Sequence, residues 1–173
     1  GGNITDSFDI VVANTNDAPT VANTIPDRSA TQGAAFNFQF AANTFADADV
    51  GDTLIYSAQV AGGGSLPAWL SFDAAPRTFS GTPANGDVGT LNIDVTASDG
   101  NGGTVTDTFT ITVGDVNDNP TVAHSLPDQN ATEDAAFNFQ FAANTFADAD
   151  VGDSLTYTAQ LAGGGTLPAW LSF

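Results

Sequence analysis

The stretch FNFQF at residues 36–40 alternates phenylalanine with a polar side chain. A period of two places apolar side chains on one face and polar side chains on the other, which is typical of a half-buried β-strand. The same period recurs in three later runs of apolar positions: Leu54, Tyr56, Ala58 and Val60; Leu91, Ile93, Val95 and Ala97; and Val105, Phe109, Ile111 and Val113. The sequence therefore predicts an all-β chain.

Each of these runs is bounded by clusters of Gly, Pro, Asn or Asp, and no stretch shows a helical stripe of apolar residues. Short strands at this spacing, over about 100 residues, are typical of a Greek-key β-sandwich of about seven strands. We expect the aromatic side chains of Trp69, Phe72 and Phe79 to fill its core.

Internal repetition organises the chain. Residues 19–72 realign with residues 120–173 at a shift of 101 positions, with 12 differences among 54 positions, and residues 1–19 realign with 102–120. We therefore predict a complete repeat at 19–119, preceded by the last strand and linker of another repeat at 1–18 and followed by the N-terminal part of a third at 120–173. We expect the chain to be a window of a longer tandem array.

The charge balance narrows the range of partners. Twenty acidic residues face two basic ones, Arg28 and Arg77, so the formal net charge is −18. Nucleic acid is excluded as a partner because its binding needs a footprint of lysine and arginine. No apolar run approaches the length of a membrane span, so we expect no membrane insertion. Without cysteine there is no disulfide, thiolate nucleophile or cysteine-type zinc site.

Three oxygen-rich clusters flank the predicted strands: the linker NTNDAP at 14–19, the loop ADADVGD at 46–52 and the loop ASDGNGG at 97–103. In a Greek-key sandwich both loops can lie at the end that receives the linker. So many converging acids repel one another without a cation, and hard oxygen ligands in this number suit Ca²⁺ better than Mg²⁺. The predicted calcium ligands are Asn16, Asp17, Ala18 (through its carbonyl oxygen), Asp47, Asp49 and Asp99.

The junction DVNDNP at 115–120 matches the D-x-N-D-N linker motif of cadherin repeats, and ADADVGDTLIYSA at 46–58 looks like the cadherin D-x-D segment. LPAWLSFDAAPRTFSGTP at 66–83 and VTASDGNGGTVTDTFTITV at 95–113 resemble the dystroglycan-type cadherin-like (CADG) repeats found in tandem on bacterial surface proteins. The resemblance implies an immunoglobulin- or cadherin-like sandwich, secreted to the cell surface.

The resemblance also implies calcium ligands at both junctions. At the first junction it selects the side chains already predicted, and at the second it adds Asn117, Asp118, Asn119, Asp148 and Asp150. Two departures from cadherins limit it: the L-D-R-E motif has no counterpart around Arg77, and the glutamate expected near the end of the first strand is Glu133 in one repeat but Gln32 in the other. We expect one ion per junction, with two as the alternative.

We predict no enzyme activity. The only histidine, His124, is replaced by Asn23 in the other repeat, so a Ser-His-Asp arrangement would exist in one copy alone. The paired carboxylates lie in glycine-rich loops, which lack the apolar surroundings that would raise the pKa of one above that of the other.

Two classes of function stay open at this stage. In the first, the chain is a structural and adhesive stalk in which calcium rigidifies the junctions, and its partners are neighbouring repeats of the same chain or of identical chains. In the second, each repeat is a binding module for a polysaccharide or a cell-surface protein. A further alternative is a subunit of an extracellular filament that is completed between chains.

Overall fold

The computed structural model describes all 173 residues, and they form two compact units, Gly1–Asp115 and Val116–Phe173. Apart from one 3-10 turn at Asn85–Asp87, the regular elements are strands. None of the helical residues forms a segment with the length and apolar character of a membrane span. The repeat boundaries drawn from the sequence stay a prediction.

The first unit contains nine strands. They are β1 (Thr20–Val21), β2 (Arg28–Thr31), β3 (Phe36–Gln39), β4 (Phe45–Ala46), β5 (Ile55–Val60), β6 (Leu70–Asp73), β7 (Thr78–Gly81), β8 (Gly89–Ser98) and β9 (Thr104–Gly114).

Seven of these strands build two sheets. One sheet has the strand order β2-β9-β8-β5 and the other has the order β3-β7-β6, while β1 and β4 form a separate pair. The pairing of β2 with β9 is parallel, and the other pairs are antiparallel. The chain alternates between the two sheets: β2 lies in the first, β3 in the second, β5 in the first, β6 and β7 in the second, and β8 and β9 in the first again. The predicted Greek-key β-sandwich of about seven strands is therefore confirmed.

The alternation in the sequence decides which face of each strand is buried. Phe38 on β3 is 7% exposed, and Ile93 on β8 and Ile111 on β9 have no exposed surface. On the outer face of the β8–β9 hairpin, Thr108 donates a hydrogen bond to Asp94 at 2.7 Å and Thr110 donates one to Asn92 at 3.0 Å. Burying one face is the main stabilising term of such a sheet, since it removes apolar surface from water.

Aromatic rings join the two sheets. Phe79 of β7 is fully buried, with its ring centroid 4.5 Å from that of Phe72 and 5.4 Å from that of Phe109. Phe72 and Trp69 are half-buried and pack against this core, with Trp69 edge-on to Phe36 at 6.2 Å. Of the three aromatic residues expected in the core, Phe79 is thus enclosed, and the other two lie at its border.

The second unit contains one strand pair, β10 (Thr121–Val122) with β11 (Phe146–Ala147). This pair repeats the pairing of β1 with β4. In the first unit, β2, β3, β5 and β6 all pair with strands from β7 to β9. The segment 116–173 has no counterpart of those three strands, so its remaining extended stretches lie outside a sheet.

Candidate metal centre

Three carboxylates converge in the loop that follows β4. Asp47, Asp49 and Asp52, called here the acidic trio, place one carboxylate oxygen each within 4.8 Å of the others. The backbone N–H of Asp49 donates to Asp47 Oδ1 at 2.9 Å, and that of Asp52 donates to the carbonyl of Asp49 at 3.3 Å. Gly51 permits this tight path because its φ of +106° lies in the region that favours glycine.

The trio is partly shielded from water. Asp49 is 9% exposed, and Asp47 Oδ2 is buried without a hydrogen-bond partner. A buried oxygen without a partner destabilises the folded state, and negative charges this close repel one another. The arrangement therefore provides a place for a cation, which would satisfy the oxygen and reduce the repulsion.

The linker at residues 14–18 is attached to the same trio. The backbone N–H of Asp17 donates to Asp49 Oδ2 at 2.7 Å, and the amide of Asn14 donates to Asp49 Oδ1 at 2.8 Å. Both oxygens of one carboxylate thus hold the linker against the end of the sandwich. Whatever binds Asp49 acts directly on the position of the linker.

Asp99, in the loop between β8 and β9, forms a second attachment. Asn16 Nδ2 donates to Asp99 Oδ2 at 3.0 Å, and the backbone N–H groups of Asn101 and Gly103 donate to Asp99 Oδ1 at 2.7 and 2.9 Å. The hydrogen bond from Asn16, followed by those from the backbone, holds the pKa of Asp99 below its ordinary value although burial opposes this shift.

Gly103 lets the linker approach this loop closely. A Cβ atom at position 103 would collide with the Asp99 carboxylate and would lie 2.8 Å from the Cα atom of Ala18. Ala18 therefore lies against Gly103, in the same loop as Asp99. Its carbonyl oxygen as a metal ligand stays a prediction.

The first predicted ligand set is thus divided between two groups. Asp47 and Asp49 belong to the trio, and Asp17 reaches it through its backbone N–H. Asn16 pairs with Asp99 instead. Asn101 links the two groups, since its amide donates to Asp52 Oδ2 at 3.1 Å.

Sequence reasoning missed two participants, Asn14 and Asp52. Asp52 is the last residue of ADADVGD, so a count of all the acids in that loop would have found it. Asn14 occupies the position where the second junction has Asp115, the first residue of the cadherin-like motif.

The second unit repeats the arrangement. Asp148, Asp150 and Asp153, the second acidic trio, also lie within 4.8 Å of one another, and Asp150 is 5% exposed. The backbone N–H of Asp118 donates to Asp150 Oδ2 at 2.6 Å, as Asp17 does to Asp49. Asn117 donates to the carbonyl of Asp118 at 2.9 Å, and Asn119 is exposed. The two trios and their linker contacts therefore follow from the repeated sequence.

The candidate donors of both trios are carboxylate oxygens. Ca²⁺ takes six to eight such oxygens in a flexible geometry, whereas Mg²⁺ requires a near-ideal octahedron. The donor set fits a hard divalent cation.

Comparison with known proteins identifies the family. The He_PIG family model, described as "Putative Ig domain", matches residues 18–114 and 119–173. The chain belongs to this Ig-domain family. The match covers most of each unit and agrees with the sandwich described above for the first unit. No curated protein matches the chain in sequence.

Solved structures similar to this Ig-domain chain include a glycoside hydrolase, a cadherin and titin domains. An endo-fucoidan hydrolase, MfFcnA4 of glycoside hydrolase family 107, is 24% identical at a TM-score of 0.47, covering 57% of this chain and 14% of that one. Drosophila N-cadherin EC1-3 is 14% identical at a TM-score of 0.42, covering 58% and 35% respectively. Titin domains Z1Z2, in complex with telethonin, are 13% identical at a TM-score of 0.43, and the match covers 64% of this chain and 54% of that one. The chain thus spans well under two thirds of each.

Proposed function

We propose that the chain is a calcium-binding structural repeat of the dystroglycan-type cadherin-like class, in which the ion fixes the linker to the end of the sandwich. The observation that supports this most directly is the position of Asp49. Its carboxylate belongs to the acidic trio and also accepts two hydrogen bonds from the linker. In the second unit, Asp150 accepts the equivalent hydrogen bond from the backbone N–H of Asp118.

The expected mechanism follows from charge. Without a cation, repulsion within the trio weakens the loop that holds the linker, and the linker has freedom to detach. Ca²⁺ offsets two of the three charges and satisfies the buried Asp47 oxygen. Because the ion binds the folded arrangement alone, it stabilises the fold by mass action, by about 2.7 kcal/mol at a hundredfold excess over its Kd.

The biological role we propose is a non-enzymatic one, outside the cell. Near-identical repeats joined by stiffened linkers make a rod, and a rod needs no active site. Its immediate partners are neighbouring repeats, and a rod of this kind serves adhesion at a cell surface. The calcium of extracellular media is sufficient for the modest affinities, Kd of roughly 10⁻⁴ to 10⁻³ M, that such modules show.

Amide hydrogen exchange tests this proposal. We expect Ca²⁺ to slow exchange at the N–H of Asp17, which donates to Asp49, and to slow it much less in Asp49→Asn. Asp94→Asn is the matched control, since Asp94 lies on the outer face of β8 and bonds Thr108. Equal exchange at Asp17 with and without bound Ca²⁺ would contradict the proposal.

A further inference from the structure

A cavity of about 680 Å³ opens beside the acidic trio. It is bordered by β4, the loop that carries the trio, the start of β5 and the turn between β6 and β7. Its lining combines three kinds of group: the carboxylates of the trio, one guanidinium from Arg77, and the apolar surfaces of Phe45, Leu54 and Tyr56. None of the contacts described above accounts for this combination.

Arg77 has an unusual conformation in this cavity. Its φ of +57° is left-handed, a region that β-carbon-bearing residues rarely adopt and that costs about 1 kcal/mol or more. Its Nε atom is buried without a hydrogen-bond partner. Arg28, the other basic side chain, lies 4.2 Å over the Phe38 ring instead. Arg77 therefore combines a strained backbone with a guanidinium nitrogen, Nε, that makes no hydrogen bond within the protein.

The lining groups define the chemistry of a matching ligand. A guanidinium binds carboxylates in a planar, two-point arrangement. Carboxylates accept hydrogen bonds from hydroxyl groups, and a calcium ion held by them also coordinates hydroxyls. The ring of Tyr56 and the side chain of Leu54 offer an apolar surface to the C–H face of a pyranose ring. A uronic acid carries one carboxylate, several hydroxyls and such a face.

We infer that this cavity binds a uronic-acid unit of an acidic saccharide. Arg77 pairs with the sugar carboxylate, and the sugar hydroxyls face the acidic trio. Because the protein's net charge of −18 repels polyanions, binding requires Ca²⁺ at the trio to reduce the local negative potential. This inference rests on the proposed calcium site and adds a ligand to it.

The test uses calorimetry on the 173-residue protein with a trisaccharide of β-1,4-linked glucuronic acid, in the presence and absence of Ca²⁺. The neutral glucose trisaccharide of the same linkage is the ligand control. We expect the acidic trisaccharide to bind only when Ca²⁺ is present. The neutral trisaccharide should bind at least about tenfold more weakly, because it lacks the carboxylate that forms charge-assisted hydrogen bonds.

Two variants separate Arg77 from general charge. Arg77→Gly removes the guanidinium and relieves the left-handed strain, so the variant folds, and we expect saccharide affinity to fall about tenfold or more. Arg28→Gln removes the same charge and introduces the residue found at the equivalent position, Gln129, so affinity stays within about twofold of the wild type.

The outcomes distinguish this inference from the calcium proposal. Calcium binding without saccharide binding, or equal saccharide affinity in Arg77→Gly, overturns the inference and leaves the calcium site intact. Failure of Ca²⁺ itself to bind overturns the proposed function. Saccharide binding that needs Arg77 but no Ca²⁺ overturns the calcium requirement and supports the Arg77 site.

Discussion

At the scale of single residues, Asp52 distinguishes this acidic cluster from a simple D-x-D pair. It brings a third carboxylate to Asp47 and Asp49 and is fixed by Asn101. We expect Asp52→Asn to weaken calcium binding at the first trio about tenfold, since affinity follows the number of charged ligands. A calcium titration of the variant measures this, with Asp94→Asn as control. Unchanged affinity would show that Asp52 is not a ligand.

The pKa of Asp99 gives a pH dependence with a definite sign. Because hydrogen bonds from Asn16 and the backbone lower it below the ordinary 3.8, Asp99 stabilises the fold above that pH. This contribution is lost as pH falls through the lowered value. We expect melting temperatures between pH 5 and pH 2 to fall less steeply for Asp99→Asn than for the wild type. Parallel curves for the two proteins would contradict this expectation.

The residues of the candidate site were predictable to different degrees. Asp47 and Asp49 could be predicted because D-x-D recurs in both repeats before a strand. The pairing of Asn16 with Asp99 could not, because the sequence does not specify which linker side chain faces which loop. The strain at Arg77 was equally hidden, since its left-handed φ depends on the turn that joins β6 and β7.

At the scale of elements, the sandwich depends on the contact between β7 and the facing sheet. Phe79 is enclosed by Phe72 and Phe109. We expect Phe79→Ala to lower the free energy of unfolding by about 3–5 kcal/mol, because a buried ring is replaced by a cavity. Phe8→Ala is the control, since Phe8 is 83% exposed, and it should change stability little. Urea denaturation measures both, and a similar loss in the two variants would contradict this picture of the core.

Four of the strands were visible in the sequence, and the two-residue strands were not. Period two identified β3, β5, β8 and β9 because each carries at least two inward apolar residues. The pairs β1–β4 and β10–β11 have two residues in each strand, too few to show a period. Their pairing is fixed by contacts between distant segments, such as Thr20 with Ala46, which local pattern does not encode.

At the scale of the whole molecule, a net charge of −18 makes ionic conditions part of the stability. Any salt screens general repulsion, whereas a coordinated ion acts at the trios alone. We therefore expect Ca²⁺ to raise the melting temperature more than Mg²⁺ does at the same concentration and ionic strength. Asp49→Asn and Asp150→Asn together should abolish the difference between the two ions. Equal stabilisation of the wild type by both ions would show that they act by screening charge and not by coordination at the trios.

Calorimetric titration of the 173-residue protein with Ca²⁺ tests the central claim most directly. The repeated trios predict two ions per chain, and Asp49→Asn and Asp150→Asn should each remove one of them while the other stays. The control variant Asp94→Asn should bind both Ca²⁺ ions. Absence of heat at millimolar Ca²⁺, or two ions still bound when both trio aspartates are replaced, would contradict the assignment of these loops as calcium sites.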